Sequence, residues 1–292
     1  MEKDYLIRAI TTNKEIRALA IRSTDLVNKA QKSHQTTPVA TAALGRALTG
    51  GLLVANLLKS GSEISLTISG DGPLGRVVVN ANYKGEVRGY VGNPNLDFMV
   101  NDAGKLDVGG AIGNGSLTIK KNLGLKEPYQ GSIPLISGEI GDDLTYYFTK
   151  SEQTPSAVGL GVLVDKDLSV KASGGFLIQL LPDASEETIS KLEENLSQVN
   201  SISSLIEDGV SPEGILEKLL EGFDFRVLAK ADAQFKCKCD RNRVGALAAS
   251  LGEDELKDIL EKEGQVEIRC HFCGEYYRFS KEDMDAILSN KA

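Results

Sequence analysis

All four cysteines of this 292-residue chain lie in its last 56 residues, spaced C-x-C-x30-C-x-x-C. Cys237 and Cys239 stand in Lys-Cys-Lys-Cys-Asp, and Cys270 and Cys273 in Arg-Cys-His-Phe-Cys-Gly; the 236 residues before them contain no cysteine. Two close pairs brought together by folding make a four-thiolate pocket, which suits tetrahedral zinc with sulfur about 2.3 Å from the metal. Cys270-His-Phe-Cys273-Gly274 has the form of a zinc knuckle: two residues between the sulfurs let backbone amides turn toward bound thiolates, and Gly274 can take a positive φ. Cys-Lys-Cys is tighter, and in an ideal strand both side chains would stay on one face. Lys236, Lys238, Arg241, Arg243 and Arg269 flank the pairs and are predicted to offset the charge of four thiolates and lower the thiol pKa values. The same sulfurs can also pair as disulfides; the spacing favours zinc over structural bridges or free thiols.

Compartment supports that choice. The chain opens Met1-Glu-Lys-Asp-Tyr-Leu, charged and without a following apolar stretch, so no signal peptide is expected. The most apolar window, Val39 to Leu58, contains Arg46, Thr41, Thr49, Asn56 and Gly50-Gly51. A central arginine costs about 2.5–3.5 kcal/mol on insertion, so the window reads as a buried helix and not a membrane span. A cytoplasmic protein is expected, where clustered cysteines bind metal more often than they form bridges. The net charge of −8 and pI near 5.0 argue against a nucleic-acid partner, whose phosphates need a basic surface.

In chain order, an apolar run from Tyr5 to Ile10 precedes Ile16, Leu19, Ala20 and Leu26 at near-helical spacing. Thr37-Pro38 offers an N-cap and a first-turn proline for a helix to about Lys59, ending at Gly61, with Leu44, Leu48, Leu52, Ala55 and Leu58 on one face. From Glu63 the period becomes two. Ile64, Leu66 and Ile68 alternate with polar residues. Val77–Val79, Val87–Val91, Ser116–Ile119, Tyr146–Phe148, Gly159–Val164 and Gly174–Leu181 read as further strands joined by glycine-rich turns. A mixed sheet of six or more strands, packed by the long helix, is expected. Gly70-Asp-Gly-Pro-Leu-Gly75 lacks the lysine and Ser/Thr of a phosphate loop and reads as a strand-to-strand turn, as does Gly109–Gly115.

Residues 183–224 carry eleven acidic groups against Lys191 and Lys218. Three helices are predicted here: one from Ser185 with Ile189, Leu192, Leu196 and Val199, a short one over Ile202–Glu207, and one capped by Ser211 with Pro212 at N1 and Ile215, Leu216, Leu219 and Leu220 following. By themselves such amphipathic helices are expected simply to pack over the sheet; a detachable linker is the functional alternative. Residues 232–292 are too few for a self-sufficient core, so a staple is expected. Val244, Leu247, Leu251, Leu256 and Ile259 predict two helices broken at Gly252. Val266 and Ile268 lead into the second cysteine pair, Tyr276, Tyr277 and Phe279 form a partner strand, and Ser280 caps a last helix with Met284, Ile287 and Leu288.

The predicted class is α+β: a large mixed β-sheet domain packed by helices (1–182), an acidic helical linker (183–231), and a small zinc-binding α+β domain (232–292). With only His34 and His271, and no cysteine outside the cluster, a catalytic triad has little material, and no enzyme is expected. His271 is expected at the surface, since four thiolates fill a tetrahedron. A zinc-ribbon nucleic-acid module is disfavoured by the acidic balance. A thioredoxin-like oxidoreductase is disfavoured by the second distant pair.

The two cysteine motifs, with Gly70–Gly75, Gly174-Gly-Phe-Leu-Ile-Gln-Leu-Leu-Pro182 and the acidic helical stretch, resemble in order the bacterial redox-regulated 33-kilodalton heat-shock chaperone family, over essentially the whole chain. The resemblance implies an ATP-independent holdase for unfolded or partially unfolded client proteins, without nucleic-acid or membrane partners. It implies one Zn2+ per chain on Cys237, Cys239, Cys270 and Cys273 in an inactive reduced form. Peroxide or hypochlorite, often with heat, would form Cys237–Cys239 and Cys270–Cys273 disulfides, release zinc, unfold the C-terminal domain and linker, and yield an active homodimer.

Overall fold

The computed structural model describes residues 3–102, 104–124, 127–251 and 253–289. The chain forms two compact units, 1–235 and 236–292.

The first unit is organised around one helix. Strands β1 (Tyr5–Thr11) and β2 (Ile16–Arg22) lead into α1 (Thr24–His34) and α2 (Pro38–Ala55). All residues of α2 except Pro38 and Arg46 are buried. It passes the length and hydropathy test for a membrane span, yet 89% of that window is enclosed by protein. The expected single apolar face is therefore an apolar circumference, because α2 packs against β-strands on two sides. Gly50 and Gly51 allow it: a Cβ on Gly51 would sit 2.8 Å from Val79 Cγ1, and one on Gly50 2.7 Å from Leu144 Cδ1. Each glycine costs about 1 kcal/mol of helix propensity, which closer packing offsets. Thr37 stands at the N-cap as predicted, but its side chain is used elsewhere: the hydroxyl donates to Pro94 O and accepts from Leu96 N.

Following α2 come β3 (Glu63–Gly70), β4 (Arg76–Asn82), β5 (Glu86–Val91), α3 (Val108–Ile112), β6 (Gly115–Asn122), β7 (Tyr129–Pro134), α4 (Gly141–Ser151), β8 (Ser156–Val164) and β9 (Val170–Leu180). Helices α5 (Glu186–Ser197), α6 (Ile202–Glu207) and α7 (Pro212–Leu219) precede β10 (Phe225–Asp232) and β11 (Gln234–Phe235). The strands divide into two sheets instead of the one expected. One is five-stranded and antiparallel, ordered β10-β1-β2-β9-β8; the other runs β11-β5-β4-β3-β6-β7 and is antiparallel except for β11 on β5. Helix α2 lies against β3, β4 and β5 of the second sheet and β2, β8 and β9 of the first.

Four sequence expectations need correction. Ile16–Ala20 is strand β2; it is buried on both faces, so the alternation that marks a strand is absent. Tyr146–Phe148 lies within α4, whose buried Leu144, Tyr147 and Phe148 follow helical spacing. Within Gly109–Gly115 the chain makes the short helix α3 before β6 begins. The helical stretch ends at Leu219, and Phe225–Asp232 forms β10 on the edge of the first sheet, paired with β1 from Tyr5↔Asp232 to Thr11↔Phe225. The turn at Gly70–Gly75 is as expected, joining β3 to β4.

Helices α5, α6 and α7 cover the outer face of the five-stranded sheet. Leu192, Ile202, Ile206, Ile215, Leu216 and Leu219 pack with Ile7, Ala9, Ile16, Ala18, Ala172 and Ile178 in one buried cluster. All three are capped by serine, at Ser185 and Ser211 where expected and also at Ser201: these accept from Thr188 N, Gly214 N and Ser204 N, respectively.

The second unit holds α8 (Arg241–Ala248), α9 (Glu253–Glu263), β12 (Val266–Arg269), β13 (Tyr276–Phe279) and α10 (Lys281–Ser289). The break expected at Gly252 lies outside the described residues. Strands β12 and β13 pair antiparallel, Val266↔Phe279 to Arg269↔Tyr276. The described core is thin: Val244, Ala248, Ala249, Leu256, Val266, Phe279 and Met284. Leu247 and Leu251, part of the pattern that predicts two helices here, are 63% and 47% exposed. Ser280 caps α10, its Oγ accepting from Asp283 N at 3.2 Å.

Candidate metal centre

Two local structures aim the cysteines. Cys237 and Cys239 occupy the extended segment before α8, which Asp240 caps by accepting from Arg243 N at 2.9 Å. Cys270 and Cys273 lie in the turn from β12 to β13. There Cys270 N donates to Glu275 O and Gly274 N to Cys270 O, both at 2.8 Å, and Gly274 takes φ +73°. A side chain at that φ would be strained, which explains the glycine.

The four Sγ atoms all lie within 4.8 Å of one another. Two of the contacts cross between the motifs: Cys237 to Cys270 at 3.8 Å and Cys239 to Cys273 at 3.3 Å. Both far exceed the roughly 2.05 Å of a disulfide, and none of the four cysteines is in one. A tetrahedron with bonds of about 2.3 Å has edges of about 3.8 Å, so the four sulfurs fit a tetrahedral cation, with the 239–273 edge somewhat compressed. Each residue of the set predicted from the sequence reaches the cluster. His271 is exposed and outside the converging group; His34 is buried at the end of α1, edge-on to Phe235 with centroids 6.3 Å apart.

The electrostatics differ from expectation. Burial pushes the thiols of Cys239 and Cys273 up from their ordinary value, against hydrogen bonds from Tyr277 to Cys239 and from the Glu275 backbone to Cys273. The neighbouring arginines do not lead the balance because they have other partners. Arg241 pairs with Asp283 at 2.8 Å and lies over the Phe279 ring, Arg243 donates to Lys238 O at 3.0 Å, and the Arg269 guanidinium lies 5.4 Å from the Tyr276 ring centroid. Four partly buried sulfurs converging on one point, two of them held toward the neutral thiol by burial, are a donor set suited to a cation. The sequence reading missed one contact: Tyr277 Oη donates to Cys239 Sγ at 3.2 Å. Its only sequence signal is a tyrosine four positions beyond Cys273 on a strand whose alternate residues enter the core.

Comparison with known proteins matches residues 4–280 to the family model described as "Hsp33 protein". The chain belongs to the Hsp33 family. Similar members include the 33 kDa chaperonin of Geobacillus kaustophilus, 50% identical over 97% of each chain, and that of Bacillus cereus (strain AH187), 46% identical over 99% of each. Among solved structures, the 33 kDa chaperonin (heat shock protein 33 homolog) of Thermotoga maritima superposes with a TM-score of 0.93, at 37% identity and 99% coverage of both chains. The Hsp33 fold is thus shared along the whole chain. Hsp33 proteins are chaperones and not enzymes, which sets aside the oxidoreductase alternative.

Proposed function

We propose that this protein is a redox-regulated, ATP-independent holdase that keeps thermally unfolding or oxidatively damaged proteins from aggregating in the cytoplasm. The observation that carries the reading is the convergence of four sulfurs in a unit with few buried apolar residues. Cys237, Cys239, Cys270 and Cys273 would hold one zinc ion in the reduced, inactive form. Bound zinc supplies a four-way tie between the two motifs, worth on the order of 10–16 kcal/mol in small zinc-finger peptides. A core this thin depends on such a tie.

Oxidation converts the ligands. A cysteine thiolate attacks one oxygen of hydrogen peroxide, the O–O bond breaks, and hydroxide leaves; the sulfur becomes a sulfenic acid, two electrons more oxidised. A second thiolate then displaces the sulfenic hydroxide and the S–S bond forms. In the folded unit sulfurs of different motifs touch and all four lie within 4.8 Å of one another, so distance alone does not select the pairing. We propose Cys237–Cys239 and Cys270–Cys273. Sulfurs two and three positions apart stay within reach as the unit opens, whereas partners 33 and 34 positions apart separate. Residues 183–231 then act as the linker between a substrate-binding domain, 1–182, and the redox domain, 232–292. Release of α5–α7 would expose their apolar side chains and the sheet face beneath them to unfolded clients. The active form is proposed to be a homodimer.

The test pairs zinc content with client protection. Reduced, zinc-loaded protein should leave a heat-unfolding client to aggregate; peroxide with heat should release one zinc per chain, lower helix content by circular dichroism and suppress aggregation. Equal suppression by both forms refutes the switch. Peptide mapping that finds Cys237–Cys270 or Cys239–Cys273 bridges refutes the proposed pairing.

A further inference from the structure

Tyr277 sits within β13 opposite Ile268 of β12, its ring packed against the small core. Its hydroxyl, 3.2 Å from Cys239 Sγ, links the strand after the second cysteine pair to a sulfur of the first. Cys239 in turn lies 3.3 Å from Cys273, which receives the backbone N–H of Glu275. One sulfur from each motif is thus met by a hydrogen-bond donor, and these two sulfurs are neighbours. The two donors differ in kind: the amide is supplied by any residue but proline at 275, whereas the hydroxyl depends on tyrosine at 277.

A phenol O–H directed at a metal-bound thiolate makes a charge-assisted hydrogen bond. It fixes the sulfur's direction and withdraws density from the lone pair that would attack an oxidant. The ring alone would fill the core equally well as phenylalanine, so packing does not account for the hydroxyl. The neighbouring Tyr276 provides a contrast: it is 53% exposed on the same strand, under the Arg269 guanidinium.

We propose that Tyr277 is a positioning residue for the cysteine centre: its hydroxyl holds Cys239 in the metal-binding arrangement and slows that sulfur's attack on peroxide. The step restrained is formation of the S–O bond at Cys239 with loss of hydroxide from the peroxide, before a second thiolate displaces the remaining hydroxide. The proposal rests on the metal-switch reading above and deepens it, by assigning the oxidant threshold of the switch to a residue outside the four ligands.

The experiment uses full-length reduced protein carrying Tyr277→Phe, with Tyr276→Phe as control and Tyr277→His as a ring that retains a donor. Each is loaded with zinc, or with cobalt as a spectroscopic substitute. Tyr277→Phe should retain metal about tenfold less well in chelator competition, the size of effect usual for an outer partner of a ligand. It should shift the thiolate-to-cobalt charge-transfer band to lower energy and release zinc severalfold faster under peroxide. Tyr276→Phe should match wild type, and Tyr277→His should recover part of the retention, which also decides the matter if the phenylalanine variant fails to fold. Metal retention within twofold of wild type together with an unmoved cobalt band overturns the proposal, as does an equal effect of Tyr276→Phe. Wild-type protein that takes up no metal refutes the metal-switch reading itself. A clear Tyr277→Phe effect without client protection by any oxidised form refutes the holdase and leaves the role of Tyr277 standing.

Discussion

Leu216 offers a direct way to ask whether the helices over the five-stranded sheet are a removable cover. It is fully buried with Ile215 and Leu219, where α7 meets β1 and β2. Leu216→Ala deletes three heavy atoms from that contact and leaves a cavity, a change that costs about 3 kcal/mol in well-packed cores. If α7 opens locally, the whole cost falls on the docking equilibrium, because the undocked helix loses nothing when Leu216 is truncated. At 1.4 kcal/mol per tenfold, the undocked population rises on the order of a hundredfold. Hydrogen exchange across residues 186–219 should accelerate by that factor while β3, β4 and β6 keep their protection. Reduced, zinc-loaded variant should then suppress aggregation of a heat-unfolding client, as measured by light scattering, without oxidant. Leu144→Ala serves as the control: Leu144 is equally buried, in α4 beneath α2, so it should cost similar global stability without freeing the cover. Unchanged exchange in 186–219, or equal client protection by both variants, would refute the reasoning.

Four further outcomes can be checked. Burial raises the Asp4 carboxyl from 3.8 to about 6, outweighing the Leu26 N–H and Arg22. Its folded pKa is the higher one, so the stability it contributes is complete below about pH 4 and is lost as pH rises through 6; the loss is about 3 kcal/mol. Unfolding at pH 4.5 and 7 should show about 2 kcal/mol of this fall, part being lost already at pH 4.5, in wild type relative to Asp4→Asn, which lacks the titration. Glu152→Ala strands Lys121, whose side chain is 8% exposed and bonded to Glu152 at 2.6 Å, and removes the acceptor of the Tyr147 hydroxyl; denaturant unfolding should show a loss of about 3 kcal/mol. Ser185→Ala removes the acceptor for Thr188 N and should weaken α5 by about 1 kcal/mol, seen as faster exchange in its first turn. Chelating the metal from reduced protein should melt α8 and α10, reducing ellipticity at 222 nm with no disulfide formed.

Where the sequence was legible, one environment governed each residue. The alternation of Ile64, Leu66 and Ile68 survives because β3 buries one side only, and Ser185 and Ser211 cap their helices through bonds to the amide three residues on, which need no distant partner. It failed where tertiary packing governs. Strand β2 is covered by helices on both faces and lost its period. Tyr146-Tyr-Phe148 looked like a strand by aromatic content, yet Asp142 and Asp143 at the start of α4 favour a helix. Strand β7 went unread because Gly131 interrupts it; a Cβ there would lie 2.3 Å from Ser151 Oγ. Strand β10 carries few apolar side chains into the core and is held mainly by its ladder to β1, a partner more than 200 positions away. At the cysteine centre, composition and spacing identified the four ligand candidates, but not the arrangement. That sulfurs of different motifs touch, and that a tyrosine hydroxyl meets one of them, depends on the tertiary fold of this unit and the β12–β13 register.

The crossing of the sulfur contacts has a consequence in chain topology. A tie between Cys237 and Cys270, or between Cys239 and Cys273, closes a loop spanning more than thirty residues. A bond between neighbours within either motif closes a loop of three or four. In the loop-entropy account the long closure restrains the open chain by about 4 kcal/mol and the short one by about 2 kcal/mol. Of the three ways to bond the same four atoms in pairs, the two crosswise ones close residues 237–273 into a ring, and the third leaves them an open thread with two small knuckles.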